Sequence, residues 1–420
     1  MTTQLLILGN GFDLQCGLKS SYKDFFRSAI LDTAGAHFGL QQTKANVSGF
    51  WEGLLLAYYK SYGEKNYNWC DIESIIKTTL WSICFGFFET QANINDGIWK
   101  KAVKTIKSRG VYFVDKTYYN KIIWDYILNY CIKILSSLPA QREDQLLPLL
   151  LNELLKELNA FENRFCKYLK LQLVNPQNNT VNEKYIVNAM NLFNKLIGFW
   201  DGKYNKINEF MHEEYRKVEE KTSEVCTLRY TKKFKVLEEG FLSLSNVHIL
   251  SFNYTAIFDF LEIDSPFAYN NVHGKLCNKS CSETCEKSNI IFGIDDTVTQ
   301  AQSACPDLRL FSKTYRKMFD TNSPSNILPK DSGIPIEIKF YGHSLSKADY
   351  SYFQSIFDYY HIYDNNNVSL LFYYSEGYEQ IDAIYQLIND YGKTMINQDQ
   401  GKNLIHKLLL ENRLKIIQVP

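Results

Sequence analysis

The chain has 420 residues, of which 45% are hydrophobic and 22% are charged. These values are those of an ordinary globular protein, and the length allows two or more structural units. Lys and Arg together number 46, as do Asp and Glu, so no charge excess favours nucleic acid or an anionic membrane surface as a partner.

The first segments do not have the pattern of an exported or membrane protein. A polar tripeptide followed by an apolar strand differs from a signal peptide. The most apolar helix candidate, residues 119–138, is interrupted by Lys121, Asp125 and Lys133, so we expect a buried helix rather than a membrane span. The ten Cys are expected to be reduced thiols. We therefore expect a cytoplasmic protein.

The first predicted element is a strand, residues 4–8, that runs directly into Gly9-Asn10-Gly11-Phe12-Asp13. Glycines allow a sharp turn and a close approach of the backbone to a ligand. The amides of such a loop and of the helix after it are directed at an anion. We therefore predict that Gly9, Asn10, Gly11 and Phe12 bind a nucleotide. The alternative is a tight strand-to-helix turn without a ligand.

The next 200 residues are predicted to be mainly helical. Ser21 and Asp24 have the spacing of a capping box and begin a helix that runs to about residue 30. Further helices are predicted at 71–89, 119–138, 145–173 (interrupted early by Pro148) and, as a pair, within 182–221. We interpret residues 1–50 as the first βα unit of a nucleotide-binding domain, 51–240 as a helical insertion subdomain, and 241–420 as the remainder of the first domain.

Strands return after residue 245. Apolar segments at 247–252, 290–293, 336–341, 368–374 and 414–419 have the composition of strands, and helical segments at 254–261, 347–360 and 378–391 separate several of them. Strands alternating with helices form βα units, so we predict an α/β fold with a mainly parallel sheet. In such an open sheet the ligand cleft lies at the carboxyl ends of the strands.

Polar side chains collect at those predicted strand ends. Asn253 follows one strand, His273 follows a short approach, and Gly342-His343-Ser344 follows another strand. A lone Asn is usually a turn or cap residue, and a lone His is usually structural. Because parallel strands bring their carboxyl ends to one rim, we expect these groups to meet the first glycine loop, and Gly342, His343 and Ser344 to bind the nucleotide with it. Together they would suit cleavage at a ribose carbon of a dinucleotide.

Six motifs stand in order along the chain: Leu6-Ile7-Leu8-Gly9-Asn10-Gly11-Phe12-Asp13-Leu14 with Ser21-Tyr22-x-Asp24-Phe25, Trp69-x-Asp71-x-Glu73, Phe252-Asn253-Tyr254-Thr255, Val272-His273-Gly274, Phe292-Gly293-Ile294-Asp295, and Gly342-His343-Ser344-Leu345-x-x-x-Asp349. In these motifs the sequence closely resembles the bacterial abortive-infection AbiH family. The resemblance implies a role in defence against bacteriophage, in which an infected cell halts itself.

A more distant resemblance is to sirtuin-like NAD-binding domains. These also have a Gly-x-Gly loop after the first strand, then an Asn, a His-Gly pair and a Gly-x-Ser loop, matched here by Gly9 and Gly11, Asn253, His273-Gly274, and Gly342 with Ser344. The resemblance implies a Rossmann-like sheet and NAD as substrate. It makes His273 the general base on a ribose hydroxyl or water, and Asn253 the residue that holds the ribose or the attacking water. The bond to nicotinamide breaks through an oxocarbenium-like state, so positioning and charge stabilisation carry most of the rate.

Three acids complicate this interpretation. Asp13 stands where the sirtuin-like loop has no acid, close to the expected pyrophosphate. A carboxylate is unfavourable there unless it binds a ribose hydroxyl or a metal, and we include Asp13 among the catalytic candidates. Asp71 and Glu73 are spaced i, i+2 and point to different faces of a helix. We interpret them as first-turn acids stabilised by the helix dipole; the alternative is that they reach the cleft from the helical insertion.

A group of four cysteines follows His273-Gly274: Cys277, Cys281, Cys285 and Cys305. True sirtuins carry a zinc ribbon at this place. Zinc prefers four thiolate or imidazole ligands, usually in closely spaced pairs, and the spacing here is admissible although no C-x₂-C pair occurs. One hypothesis is a zinc site, and the other is a polar loop with reduced thiols.

Three functions remain open from the sequence. The first is hydrolysis of NAD or a related nucleotide. The second is a nucleotide-binding sensor or interaction protein without catalysis. The third is a metal-dependent RNA-cleaving toxin that uses Asp13 and Asp71, which the neutral charge balance does not favour. An uncontrolled NADase would kill its host, so we expect a phage-derived trigger or a homo-oligomer to control it.

Overall fold

The computed structural model describes residues 2–30, 49–63, 72–84, 121–137, 146–174, 182–198, 246–256, 268–276, 290–294, 306–319, 327–375 and 380–419. Its centre is a six-stranded sheet of β1 (Thr3–Leu8), β2 (Val247–Ser251), β3 (Ala268–Asn271), β4 (Ile336–Tyr341), β5 (Val368–Tyr374) and β6 (Leu414–Gln418). The strand order is β3-β2-β1-β4-β5-β6, and every neighbouring pair is parallel. This confirms the predicted α/β fold, and the order is that of a Rossmann-like sheet whose direction of winding changes between β1 and β4.

Strand β1 lies at the centre because it is apolar on both faces. Leu5 and Ile7 belong to one hydrophobic core, whereas Leu6 and Leu8 belong to another. All four are at most 2% exposed. A strand buried on both faces is expected to be a continuous apolar run rather than an alternating one, which is why its sequence was a clear signal.

Helices cover both faces of the sheet. Between β1 and β2 every named element is helical: α1 (Gly11–Gln15), α2 (Tyr22–Phe25) with a π-helical turn (Phe26–Ile30), α3 (Phe50–Tyr62), α4 (Ile72–Cys84), α5 (Lys121–Ser137), α6 (Leu146–Leu173) and α7 (Glu183–Ile197). The later helices are α8 (Lys313–Lys317), α9 (Tyr350–Tyr359), α10 (Ile381–Thr394) and α11 (Gln398–Leu410), with 3₁₀ turns at Pro306–Phe311 and Lys347–Asp349. None of the described helices has the length and apolar character of a membrane span.

The inserted helices share a core with the sheet. Side chains of α3 to α7 pack in one cluster with Leu6, Leu8 and Ile249 of the strands. The end of α7 is held by two sheet residues, because Gln4 Nε2 and Lys339 Nζ donate to the carbonyls of Ile197 and Leu196 at 3.2 and 3.0 Å. The insertion is therefore anchored directly above the central strands. The predicted boundaries near residues 50 and 240 remain predictions.

Several predicted elements are confirmed and a few are wrong. Ser21 caps α2 as predicted, accepting from the Asp24 amide at 3.1 Å. Pro148 does not interrupt α6, because it lies in the first turn, where a helix has no amide partner to lose. Residues 254–256 are not helical, and the rest of the predicted helix 254–261 lies outside the described residues. Strand β3 and helix α11 were not predicted.

The predicted strand at 290–293 is also wrong. Only Ile294 forms an isolated bridge, with Ser312. Side chains take the place of a neighbouring strand: the Phe292 amide donates to Glu162 Oε1 at 2.7 Å, and Arg316 Nη1 donates to the Phe292 carbonyl at 2.8 Å. The apolar pattern was thus that of a buried segment whose backbone groups have mixed partners: Glu162 and Arg316 at Phe292, and the carbonyls of His273 and Phe311 for the amides of Ile291 and Ile294.

Candidate functional site

The loops that follow β1 and β4 pack against each other at the carboxyl end of the sheet. The Gly9 and Gly11 amides donate to the carbonyls of Tyr341 and Gly342 at 2.9 and 2.7 Å. A Cβ on Gly9 would lie 2.3 Å from His343 Cα, so only glycine allows this approach. The structure thus brings together the two loops predicted to bind a nucleotide.

The other loop residues have varied roles within the protein. The Phe12 amide donates to the Gly9 carbonyl at 2.9 Å, and the Phe12 ring is buried edge-on against Tyr341. Asn10 Oδ1 accepts from Ser20 Oγ at 2.6 Å, and Ser344 is exposed. Three amides of the first loop therefore already have acceptors, and a phosphate at this loop would need other donors. The binding role of both loops remains a prediction.

Asp13 points away from that loop into the protein. Its side chain is 1% exposed and accepts from Tyr185 of α7 at 2.7 Å and from Thr255, after β2, at 2.5 Å. Burial raises the pKa of Asp13 to about 6, although both hydroxyl groups act to lower it. Asp13 thus joins α1, α7 and the loop after β2. The distant acid Asp71, its proposed partner in the toxin hypothesis, lies outside the described residues.

Asn253 is held in place through its backbone, which leaves its side chain available. Its carbonyl, like that of Thr255, accepts from Asn271 Nδ2, at 2.7 and 3.0 Å. Asn253 is 4% exposed, and its Oδ1 has no hydrogen-bond partner among the described residues. Buried polar atoms are normally paired, so this oxygen is suited to receive a donor from a ligand or a water molecule.

His273 contacts a carboxylate that the sequence did not identify as part of the site. Its Nε2 lies 2.9 Å from Oδ1 of Asp349, which ends the 3₁₀ turn after β4. Neither ring nitrogen of His273 has a well-aligned hydrogen bond to a described residue. The two groups therefore lie within hydrogen-bond distance but are not aligned for a hydrogen bond. His343 Nε2 lies 3.3 Å from Asp349 Oδ2, and its Nδ1 accepts from the Leu345 amide at 2.9 Å.

A buried lysine completes this cluster. Lys313 Nζ lies 2.9 Å from Asp349 Oδ1 and 2.8 Å from Glu73 Oε1. Glu73 is a first-turn acid of α4, as interpreted, and it also reaches the rim from the helical insertion, which was the alternative. Nothing in the sequence pointed to Lys313, whereas Asp349 belonged to a quoted motif without an assigned role.

The charges in this cluster are set by burial and by mutual contact. Burial would raise the pKa of Asp349, but Lys313 and the imidazoles hold it well below its ordinary value. Burial would lower the pKa of Lys313, but Glu73 and Asp349 raise it above the ordinary value. Burial lowers the pKa of His273 to about 4, with help from Lys313 and against the effect of Asp349. At neutral pH an unprotonated imidazole therefore faces an ionised carboxylate.

An open cavity of about 230 Å³ lies beside this cluster, where the sheet changes its direction of winding. Its lining includes Gly11, Tyr341, Gly342, His343, Ser375 and Gln380. Tyr341 Oη and Ser375 Oγ are 2.7 Å apart in its wall. His343 thus belongs both to the cavity wall and to the contacts of Asp349. Cavities at this place in open α/β sheets commonly bind ligands.

The metal hypothesis concerns residues that the structure does not describe. Cys277, Cys281, Cys285 and Cys305 all lie outside the described ranges. Within those ranges, no group of three or more His, Cys, Asp or Glu side chains is arranged to hold a metal ion. Zinc binding by the four cysteines remains a prediction.

The strand order and the buried titratable cluster define a Rossmann-like α/β protein with a polar centre at the carboxyl ends of its strands. A comparison with protein families matches residues 5–138 and 150–374 to the family described as Bacteriophage abortive infection AbiH. The chain belongs to this family, which confirms the resemblance seen in the motifs and implies a function in phage abortive infection. Comparison with curated proteins and with solved structures gave no match.

Proposed function

We propose that this abortive-infection protein hydrolyses NAD, or a nucleotide related to it, at the N-glycosidic bond. The observation that carries the proposal is the pairing of an unprotonated His273 with an ionised Asp349 at the strand ends. Asn253 and its unpaired Oδ1 stand at the same rim. General bases and their orienting carboxylates have this arrangement in hydrolases.

In the proposed reaction a water molecule attacks C1′ of the nicotinamide ribose. The bond from C1′ to the ring nitrogen breaks, and nicotinamide leaves with the bonding electron pair. The proton of the water passes to His273 Nδ1, the nitrogen that does not face Asp349. Asp349 then stabilises the imidazolium, and Asn253 Oδ1 accepts from the attacking water or a ribose hydroxyl. A base with a pKa of about 4 is weak in the free protein, so the carboxylate contact is essential to the step.

The cavity beside His343 offers a place for the rest of the nucleotide. It is lined by the loops after β1 and β4 and by the end of β5, and its wall carries the paired hydroxyls of Tyr341 and Ser375. Of the polar groups of the centre, only His343 lines this cavity, and its contact with Asp349 connects a nucleotide seated there to the proposed general base. The proposal includes control by a phage-derived trigger or by assembly of copies, since the activity has to be held off before infection.

The test measures NAD and survival in cells that carry the chain, before and during phage infection. The variants His273→Gln and Asn253→Ala are compared with controls at exposed positions of α11, His406→Ala and Asn403→Ala. We expect infected cells with the wild-type chain or either control to lose NAD. Cells with the two site variants should keep their NAD, with turnover reduced about 10²-fold or more.

Protection with unchanged NAD in wild-type cells would reject NAD as the substrate, and an unchanged pool of related nucleotides would reject the hydrolase. If the purified chain then binds NAD without releasing nicotinamide, the nucleotide-sensor hypothesis replaces it. Loss of NAD that persists in both site variants would move the chemistry away from His273 and Asn253.

A further inference from the structure

Lys313 is placed at the rim by a backbone arrangement that leaves it little freedom. It is the first residue of α8, which Ser312 caps by accepting from the Tyr315 amide at 3.2 Å. The Lys313 amide also donates to the Ile294 carbonyl at 3.0 Å. A Cβ on Gly293 would lie 2.5 Å from the Phe311 carbonyl oxygen and 3.1 Å from Lys313 Cγ. Residue 293 therefore has to be glycine for Lys313 to occupy this position.

The ammonium group joins three separate parts of the molecule. Lys313 is 2% exposed, and its two carboxylate partners come from α4 and from the turn before α9. Asp349 Oδ1 is shared by Lys313 Nζ and His273 Nε2, each at 2.9 Å. The two nitrogens are therefore within about 6 Å of each other, the range over which one charge changes the protonation of another group.

We propose that Lys313 is a positioning residue for this site: held between Glu73 of the helical insertion and Asp349, its ammonium fixes the carboxylate against His273 and keeps that imidazole unprotonated. The proposal rests on the proposed function for its catalytic meaning, but the geometry applies to the protonation of His273 whatever the ligand. A role in structure alone would be an inefficient use of a buried ion pair, because apolar side chains of similar volume stabilise a protein as well or better.

Other groups also act on His273, and their effects have to be separated from that of Lys313. Asp349 and His343 face it from the segment after β4, Tyr254 from the loop after β2, and Tyr352 from α9. Burial has the largest effect and opposes the imidazolium, Lys313 and His343 also oppose it, and Asp349 favours it. Glu73 lies on the far side of the lysine, so the helical insertion influences the imidazole through Lys313.

The test is an NMR titration of the histidine side chains in the full chain, with the His273 signals assigned by their loss in His273→Gln. We expect Lys313→Met to raise the pKa of His273 by about 1 or more, because a neighbouring positive charge is removed. Lys393→Met, which removes a lysine that is 69% exposed from a surface pair with Asp390, should leave the titration unchanged.

A second variant covers the case in which Lys313→Met does not fold. The double variant Glu73→Gln with Lys313→Met removes one positive and one negative charge and keeps the net charge of the cluster. It should also raise the pKa of His273. An unchanged His273 titration in either folded variant would overturn the proposal and leave Lys313 with a structural role.

The same variants separate this proposal from the proposed function. If the chain cleaves NAD, Lys313→Met should move the acidic limb of the kcat profile to higher pH and lower kcat more than it raises KM, and Lys313→Arg should restore part of kcat. If the chain does not cleave NAD, the titration still decides the role of Lys313. A titration shift without turnover would reject only the hydrolase.

Discussion

Two buried aspartates at the same end of the sheet have opposite electrostatic environments. Asp13 follows β1 and Asp349 follows β4, and both are at most 7% exposed. Asp13 receives two hydroxyl donors, and its pKa is raised to about 6. Asp349 contacts an ammonium group and two imidazoles, and its pKa is held well below the ordinary value.

The difference shows which partners compensate for the burial of a carboxylate. A neutral hydroxyl group supplies a hydrogen bond but no charge, so most of the lost hydration remains uncompensated. An ammonium group close to the carboxylate supplies a full opposite charge. Asp13 is therefore suited to join the helical insertion to the sheet, whereas Asp349 is suited to stabilise positive charge that develops on His273.

The largest expected effect is that of Asp349→Asn. The change leaves Lys313 with Glu73 alone and removes the carboxylate from both imidazoles. Breaking a buried charge pair by removing one partner costs about 3–5 kcal/mol, and we expect a loss of this size in urea unfolding at pH 7. The exposed Asp382→Asn on α10 is the control and should change stability by less than about 0.5 kcal/mol. Equal and small losses in both variants would contradict a charged centre at Asp349.

Asp13→Asn is expected to have a smaller effect on the free energy of unfolding, and this effect should depend on pH. The folded chain raises the pKa of this carboxyl from an ordinary 3.8 to about 6. Its contribution to stability is therefore complete below the lower value and is lost as the pH rises through the higher one. A shift of that size corresponds to about 3 kcal/mol. Relative to Asp13→Asn, the wild-type chain should thus be less stable at pH 7 than at pH 4 by most of this amount, about 2.4 kcal/mol.

Unfolding of both proteins in urea at a series of pH values measures this difference. His273 has the opposite sign, because its pKa is lowered and its contribution is lost as the pH falls below the ordinary value. Both proteins contain His273, so its contribution cancels when their stabilities are compared at each pH. A difference between them that does not vary with pH would show that Asp13 is ionised with an ordinary pKa.

The sheet was predictable because its signals are local. Strands β1, β4 and β5 are buried runs of apolar residues, and parallel pairing follows from the alternation with helices. Parallel strands end at one rim, and this rule correctly predicted that Asn253 and His273 lie at the carboxyl end of the sheet. Strand β3, which is only partly buried and contains two Asn, has no apolar run and was missed.

The centre itself was less predictable because its contacts join distant parts of the chain. Lys313 and Glu73 are 240 positions apart, and pairing over such a separation depends on how α4 packs, which no local pattern contains. The dipole of its own helix was a sufficient local explanation for Glu73. The sequence therefore provided no reason to prefer the tertiary explanation, its ion pair with Lys313. The same holds for residues 290–293, where Phe292 bonds to the side chains of Glu162 and Arg316 and the Ile291 amide donates to the His273 carbonyl, with no neighbouring strand.

The smallest predicted effect tests the hydroxyl donors of Asp13 through Tyr185→Phe. Hydrogen bonds to an ionised carboxylate contribute about 1.5–3 kcal/mol, and those between neutral groups contribute about 0.5–1.5 kcal/mol. The loss of stability should therefore be about 2 kcal/mol at pH 8, where Asp13 is ionised, and about 1 kcal/mol at pH 4. Tyr385→Phe, at a ring that is 59% exposed, is the control and should show no such dependence on pH. A loss that is equal at both pH values would mean that Tyr185 does not sense the charge of Asp13. The contrast between the two aspartates would then rest on the charged and imidazole partners of Asp349.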